Sequence, residues 1–190
     1  YGAPVQAMNI DENQFTVQII PNTAQQPQLS SELTNGAVTL NNQLRLVGKG
    51  EHYCALHITS NPHNQYRFTG CVQRDAGIQS DTLSLRNIGL RLKYALPETL
   101  NAHDISFTGT VRESTPSTPA YDHETHHSAP LSQLVVEMLK ESDNLISNCL
   151  LKKVGQSYYH TQGTWRNGVR ATINVLNPLT GISLKKLRMK

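Results

Sequence analysis

The chain has 190 residues, 37% hydrophobic and 16% charged, with a formal charge of +3. That suits one good core or two modest domains. No apolar run reaches the length of a membrane span. The Lys and Arg are scattered apart from Lys185, Lys186, Arg188 and Lys190, which argues against the dense basic face of a nucleic-acid binder.

The first hundred residues read mainly as strands. Val5 to Ile10 and Phe15 to Ile20 flank polar Asp11-Glu12-Asn13, a predicted hairpin turn. Phe15 to Ile19 alternates as a half-buried strand does. Residues 21–31 are rich in Pro, Gln, Asn and Ser and read as a loop. Further strands are expected over 37–40, 43–47, 53–59, 66–71 and 81–85. Ile88, Leu92, Ala95 and Leu96 predict a helical face that Pro97 should end or kink. Residues 105–111 read as one more strand.

Three cysteines are present. Cys54 and Cys71 flank the turn-like Asn61-Pro62-His63-Asn64. They fit either a disulfide across a hairpin, adding roughly 3 kcal/mol, or two small buried side chains on neighbouring strands. Cys149 reads as a buried thiol on a helix.

The composition changes at Ser114-Thr115-Pro116-Ser117-Thr118-Pro119, which leads into a His-rich stretch ending at His127. This is the linker candidate. Beyond it the pattern is helical. Ser128 can cap a helix and Pro130 suits its first turn. Leu131, Leu134, Val135, Met138 and Leu139 form an apolar stripe. A second helix carries Leu145, Ile146, Cys149, Leu150 and Val154 and is expected to stop at Gly155. A third follows Thr164, carries Trp165, Val169, Ile173 and Leu176, and is expected to end near Asn177-Pro178.

Four short motifs bear on chemistry. His123-Glu124-Thr125-His126-His127 matches H-E-x-x-H, a zinc-protease pattern that needs a helix to bring both His to one face. It lies between Pro119 and Pro130 in linker composition, so no metal site is expected. Ser183-Leu184-Lys185-Lys186 matches S-x-x-K in a segment without a clear helix. Lys153-Val154-Gly155 resembles K-T-G but reads as a helix end, not a strand. Ser142-Asp143-Asn144 matches S-x-N, which in serine β-lactamases and penicillin-binding proteins sets a hydroxyl and a carboxamide in the active-site cleft. The same three residue types are common helix caps.

Several segments together resemble one family. They are Tyr1-Gly2-Ala3-Pro4-Val5 with Asn13-Gln14-Phe15, Tyr53-Cys54 with Arg67-Phe68-Thr69-Gly70-Cys71, Ser128-Ala129-Pro130-Leu131, Met138 to Asn144, and Gly163-Thr164-Trp165-Arg166. In that order the chain resembles the class C penicillin-binding proteins. These are the penicillin-binding protein 4 type D-alanyl-D-alanine carboxypeptidase/endopeptidases of serine peptidase family S13.

The resemblance implies an α+β protein. A β-rich insertion domain (1–116) and a linker (117–127) would precede the helical part of a β-lactamase/transpeptidase-like domain (128–190). It implies a periplasmic hydrolase of peptidoglycan stem peptides that is acylated by β-lactam antibiotics, with no cofactor. That setting favours a Cys54–Cys71 disulfide. Ser142 would serve proton relay near the nucleophile. Asn144 would bind the substrate backbone and position the catalytic lysine, and Asp143 would be structural. Neither a usable S-x-x-K nucleophile nor K-T-G is present. The chain, whose ends look like cuts in a longer protein, is therefore expected to be inactive alone. The alternative is a non-catalytic periplasmic wall-binding or scaffolding protein on a degenerate peptidase fold.

Overall fold

A computed structural model describes residues 3–6, 8–33, 36–48, 54–113 and 125–181. The chain divides into two compact units, Tyr1–His123 and Glu124–Lys190.

Among the described residues the first unit holds two three-stranded sheets and one α-helix. Strand β1 (Gln14–Ile20) lies between β2 (Gln28–Ser31) and β6 (Gln79–Ser84), antiparallel to both. In the second sheet β5 (Gln65–Gln73) is central. It runs parallel to β3 (Thr39–Val47) and antiparallel to β4 (Leu56–Ser60). The alternation of β1 puts Phe15, Val17 and Ile19 into the core. They join Leu44 and Leu46 of β3, Tyr66 and Phe68 of β5, and Leu85 and Ile88. The rings of Phe15 and Tyr66 meet edge to face at 4.9 Å.

Several turns are fixed by side-chain amides. Asn64 is fully buried at φ 54°, a left-handed conformation that Asn tolerates best among residues with a Cβ. Its amide nitrogen donates to the carbonyls of Ala37 and Asn87, at 3.1 and 2.8 Å. Its oxygen accepts from the amides of Arg86 and Asn87, both at 2.8 Å. One side chain thus joins the β4–β5 turn to the start of the helix. Cys54 and Cys71 form a disulfide, with Cα atoms 5.3 Å apart. Beside it, Gly70 has φ 97°, and a Cβ there would fall on the Ala55 carbonyl oxygen. Only glycine fits that approach.

The structure corrects several sequence expectations. Residues 8–13 form bends and a left-handed turn at Asp11–Asn13, not the end of a strand and a hairpin. Buried Asn13 holds that turn by bonding the Pro4 carbonyl, Asn9 Oδ1 and the Ile10 amide. Strand β3 begins at Thr39, not at residue 37, and runs unbroken through 43–47. The expected loop over 21–31 ends in β2, and residues 105–111 form no strand. Helix α1 (Ile88–Ala102) runs through Pro97, capped by Asn87, whose side chain accepts from the Leu90 amide at 2.8 Å. Pro97 cannot donate to the Lys93 carbonyl, but Lys93 is exposed, and water can replace the missing donor.

The second unit contains helices α2 (Leu131–Glu141), α3 (Asn144–Tyr159) and α4 (Trp165–Thr180). Ser128 does not cap α2; its hydroxyl bonds the Ala129 carbonyl, and the helix starts on Pro130. Gly155 does not end α3, and Pro178 does not end α4. Gly155 is instead the point at which α3 crosses α4. A Cβ on it would strike the backbone of Asn167 and Gly168, and one on Gly168 would strike the Leu151 carbonyl. Leu145, at the start of α3, and Ala171 on α4 are also buried.

Candidate active site

Ser142 and Asp143 are the whole connection between α2 and α3, and Asn144 opens α3. Helix α2 ends on Ser142, which has φ 54° and ψ 39°. The amides of Ser142 and Asp143 both reach the Met138 carbonyl, the latter at 3.1 Å. This is a left-handed helix terminus of the kind usually given to glycine. A side chain in that conformation costs about 1–2 kcal/mol.

Asp143 then returns to extended geometry and caps α3, its carboxylate accepting from the Ile146 amide at 2.9 Å. Its Asn144 neighbour is the first residue of α3, and Leu145 turns into the interior at 9% exposure. The middle residue is thus half-buried and engaged with the backbone, while Ser142 and Asn144 are exposed on either side of it. Ser142 and Asn144 thus stand at the N-terminal, positive end of the α3 dipole, which favours negative charge there.

The other sequence motifs do not join this triplet. Lys153, Val154 and Gly155 lie inside α3 and not on a strand, and Lys153 Nζ donates to Gln156 Oε1 at 2.8 Å. His126 and His127 are exposed and outside any helix, while His123 and Glu124 lie outside the described residues. Among the described residues no group of three or more His, Cys, Asp or Glu could hold a metal ion. Ser183 also lies outside the described residues. Cys149 is a half-buried thiol on α3. A depression of about 440 Å³ lies on α2, lined by Ser132, Gln133, Val136, Glu137, Lys140 and Glu141; neither Ser142 nor Asn144 lines it.

Sequence reasoning missed the Gly155–Gly168 crossing that sets α3 against α4. The signal was available: each glycine sits inside an otherwise helical pattern, where it is costly unless backbones must approach.

The sequence profile of the D-Ala-D-Ala carboxypeptidase 3 (S13) family matches residues 1–190. The chain belongs to the S13 family. Among curated relatives of this S13 chain is the D-alanyl-D-alanine carboxypeptidase DacB of Haemophilus influenzae, 25% identical over 182 residues. That match covers 93% of this chain and 37% of the relative. A crystal structure of penicillin binding protein 4 (dacB) from H. influenzae superposes with a TM-score of 0.78 at 25% identity, over 94% of this chain and 40% of that one. A second, of the same protein complexed with a β-lactam, gives a TM-score of 0.75 at 24% identity, over 93% of this chain and 42% of that one. The S13 chain therefore has the α+β fold of these proteins and spans about two fifths of their length. Among the described residues no helix is long and apolar enough to cross a membrane.

Proposed function

We propose that the chain is part of a periplasmic serine D-Ala-D-Ala carboxypeptidase/endopeptidase acting on peptidoglycan stem peptides and acylated by β-lactams. Family membership supplies the reaction class. The observation that carries the site is the α2–α3 junction, where Asp143 caps α3 while the side chains of Ser142 and Asn144 are left exposed on either side of it.

In the proposed reaction a serine hydroxyl from an S-x-x-K motif outside this chain adds to the carbonyl carbon of the penultimate D-Ala. Its proton passes to the motif's lysine. The peptide C–N bond breaks, the leaving amine takes up a proton, and D-Ala departs. Water then cleaves the acyl-enzyme ester. Ser142 would relay the proton between nucleophile, lysine and leaving amine. Asn144 would donate to the substrate backbone and hold the lysine in place. Asp143 would only cap α3. A K-T-G strand, also outside this chain, would bind the terminal carboxylate.

In this reading residues 1–116 are the later part of a β-rich insertion, 117–127 a linker, and 128–190 part of the catalytic domain. The open apolar side chains of Leu131, Leu139 and Leu179, at 62%, 70% and 74% exposure, suit a unit that the rest of that domain covers.

A fluorescent penicillin tests the assignment. The full-length protein should be labelled covalently, and the 190-residue chain should not. Labelling of the chain alone would overturn the assignment of the nucleophile to an outside serine.

A further inference from the structure

Residues 105–111 carry a strand pattern for which the fold supplies no partner. Ile105, Phe107, Gly109 and Val111 alternate with Ser106, Thr108 and Thr110, without a charge or a proline. Residues 106–113 make no backbone–backbone hydrogen bond to another described residue. The segment lies open along the surface, with Phe107 and Val111 half-buried and the other five residues exposed. An open, strand-forming edge is a template for pairing, which native proteins ordinarily blunt with charge or proline. Here neither device is present.

The sequence around Thr108 is its own complement. Two copies paired antiparallel, with Thr108 opposite Thr108, set Ile105 against Val111, Ser106 against Thr110 and Phe107 against Gly109. The apolar pairs fall on one face and the hydroxyl pairs on the other. The Phe107 ring already lies over Gly109, 3.2 Å from where a Cβ would stand, and aromatic rings cover glycine in the same way across paired strands. With Ser106, Thr108 and Thr110 at the hydrogen-bonded positions, the Ile105 amide points away from the partner. It already donates to the Leu100 carbonyl at 2.9 Å. At the two ends of the ladder Asp104 meets Arg112 of the other copy. Neither forms an ion pair with a described residue of its own chain. Asp104 keeps φ 58° at the turn after α1, so the ladder covers 105–111 and Asp104 acts through its side chain. A slip of one residue would set polar against apolar and part the charges.

We infer that residues 105–111 are a self-pairing strand through which two copies of this protein form a symmetric dimer. The contact is isologous, so it closes on itself at two copies. Val111 lines an open groove of about 600 Å³ with Met8, Leu92 and Leu96, and Met8 and Leu96 are exposed. Residues directly opposite in an antiparallel pair share a face, so the second copy brings its own Ile105, Phe107 and Val111 to the side of that groove. An unrelated strand could add to the same edge, but only a second copy supplies both reciprocal Asp104–Arg112 pairs. The interface is small, so association is weak and concentration-dependent. It is independent of the reaction proposed above.

Sedimentation velocity of the full-length protein, over about a hundredfold range of concentration, is the test. The native protein should pass from monomer to dimer and no further. Arg112→Asp sets like charges together at both ends of the ladder and should raise the dissociation constant by about tenfold or more. Asp104→Arg should do the same. An equimolar mixture of these two single variants should recover the dimer, because each variant then meets the opposite charge on the other. Thr108→Pro removes the central ladder donor and should abolish the dimer. Circular dichroism should be unchanged in every case. If Asp104→Arg does not fold, Arg112→Asp and Thr108→Pro decide the matter alone. A protein that stays monomeric throughout, a dimer indifferent to Thr108→Pro, a mixture of the charge variants that stays monomeric, or growth beyond two copies would each overturn the inference.

Discussion

Replacing Ser142 with glycine separates a helix terminator from a working hydroxyl. At φ 54° the serine side chain costs about 1–2 kcal/mol, which glycine relieves. Glycine gives back roughly 0.5–1 kcal/mol through its greater freedom in the unfolded chain. The net is a gain of roughly 0.5 kcal/mol, or about 1–2 °C in melting temperature for a chain of this length. Thermal melts of the 190-residue chain by far-ultraviolet circular dichroism measure that gain. Turnover is measured in the full-length protein on a peptide ending in D-Ala-D-Ala. If the Ser142 hydroxyl relays a proton, Ser142→Gly lowers kcat/KM by about 10²-fold or more despite its added stability. Ser142→Ala keeps the backbone cost and loses the hydroxyl, so it should show the same loss of turnover with no gain in melting temperature. Turnover of Ser142→Gly within twofold of the native enzyme would refute the reasoning and leave Ser142 a helix end.

Other predictions follow from single side chains. Asp143→Ala removes the bond to the Ile146 amide and should lower the stability of the helical unit by about 1 kcal/mol, measured by urea unfolding. Asn64→Ala strands two amides and two carbonyls at a buried left-handed turn. It should cost roughly 3–5 kcal/mol and release the β-rich unit to early proteolysis. Burial pushes the Tyr66 hydroxyl up to about 12, against the opposing charge and backbone bond of Arg86. The unfolded chain ionises this group near 10. The stability that neutral Tyr66 lends is therefore complete below about pH 10 and is lost as pH rises toward 12, by about 1–2 kcal/mol. Urea midpoints between pH 9 and 12 should fall more steeply for the native chain than for Tyr66→Phe; parallel curves would contradict this.

What the sequence made legible was what depends on period and caps. Alternation located β1, and the i, i+3, i+4 stripe located α2. Thr164 marked the start of α4, where its hydroxyl accepts from the Asn167 amide at 3.1 Å. What stayed hidden depended on partners distant in sequence. The left-handed turn at Asp11–Asn13 exists because Asn13 bonds Pro4 and Asn9, which no local propensity announces. Gly155 looked like a helix end because its reason, the backbone of Gly168, lies on another helix. Pro97 and Pro178 were read as stops because the rule describes a lost hydrogen bond, and exposed turns recover it from water. At the site, the triplet could be read from sequence as either cap or catalytic element. In the structure Asp143 is the cap, and Ser142 and Asn144 stand exposed beside it.

The most direct measurement is release of the C-terminal alanine by the full-length protein from matched peptides ending in D-Ala-D-Ala (D-alanine released) and D-Ala-L-Ala (L-alanine released), for native enzyme and Asn144→Ala. The account predicts cleavage of the D,D-peptide alone, with kcat/KM reduced by about 10²-fold in Asn144→Ala. No release of D-alanine, or release unaffected by loss of the Asn144 carboxamide, would contradict it.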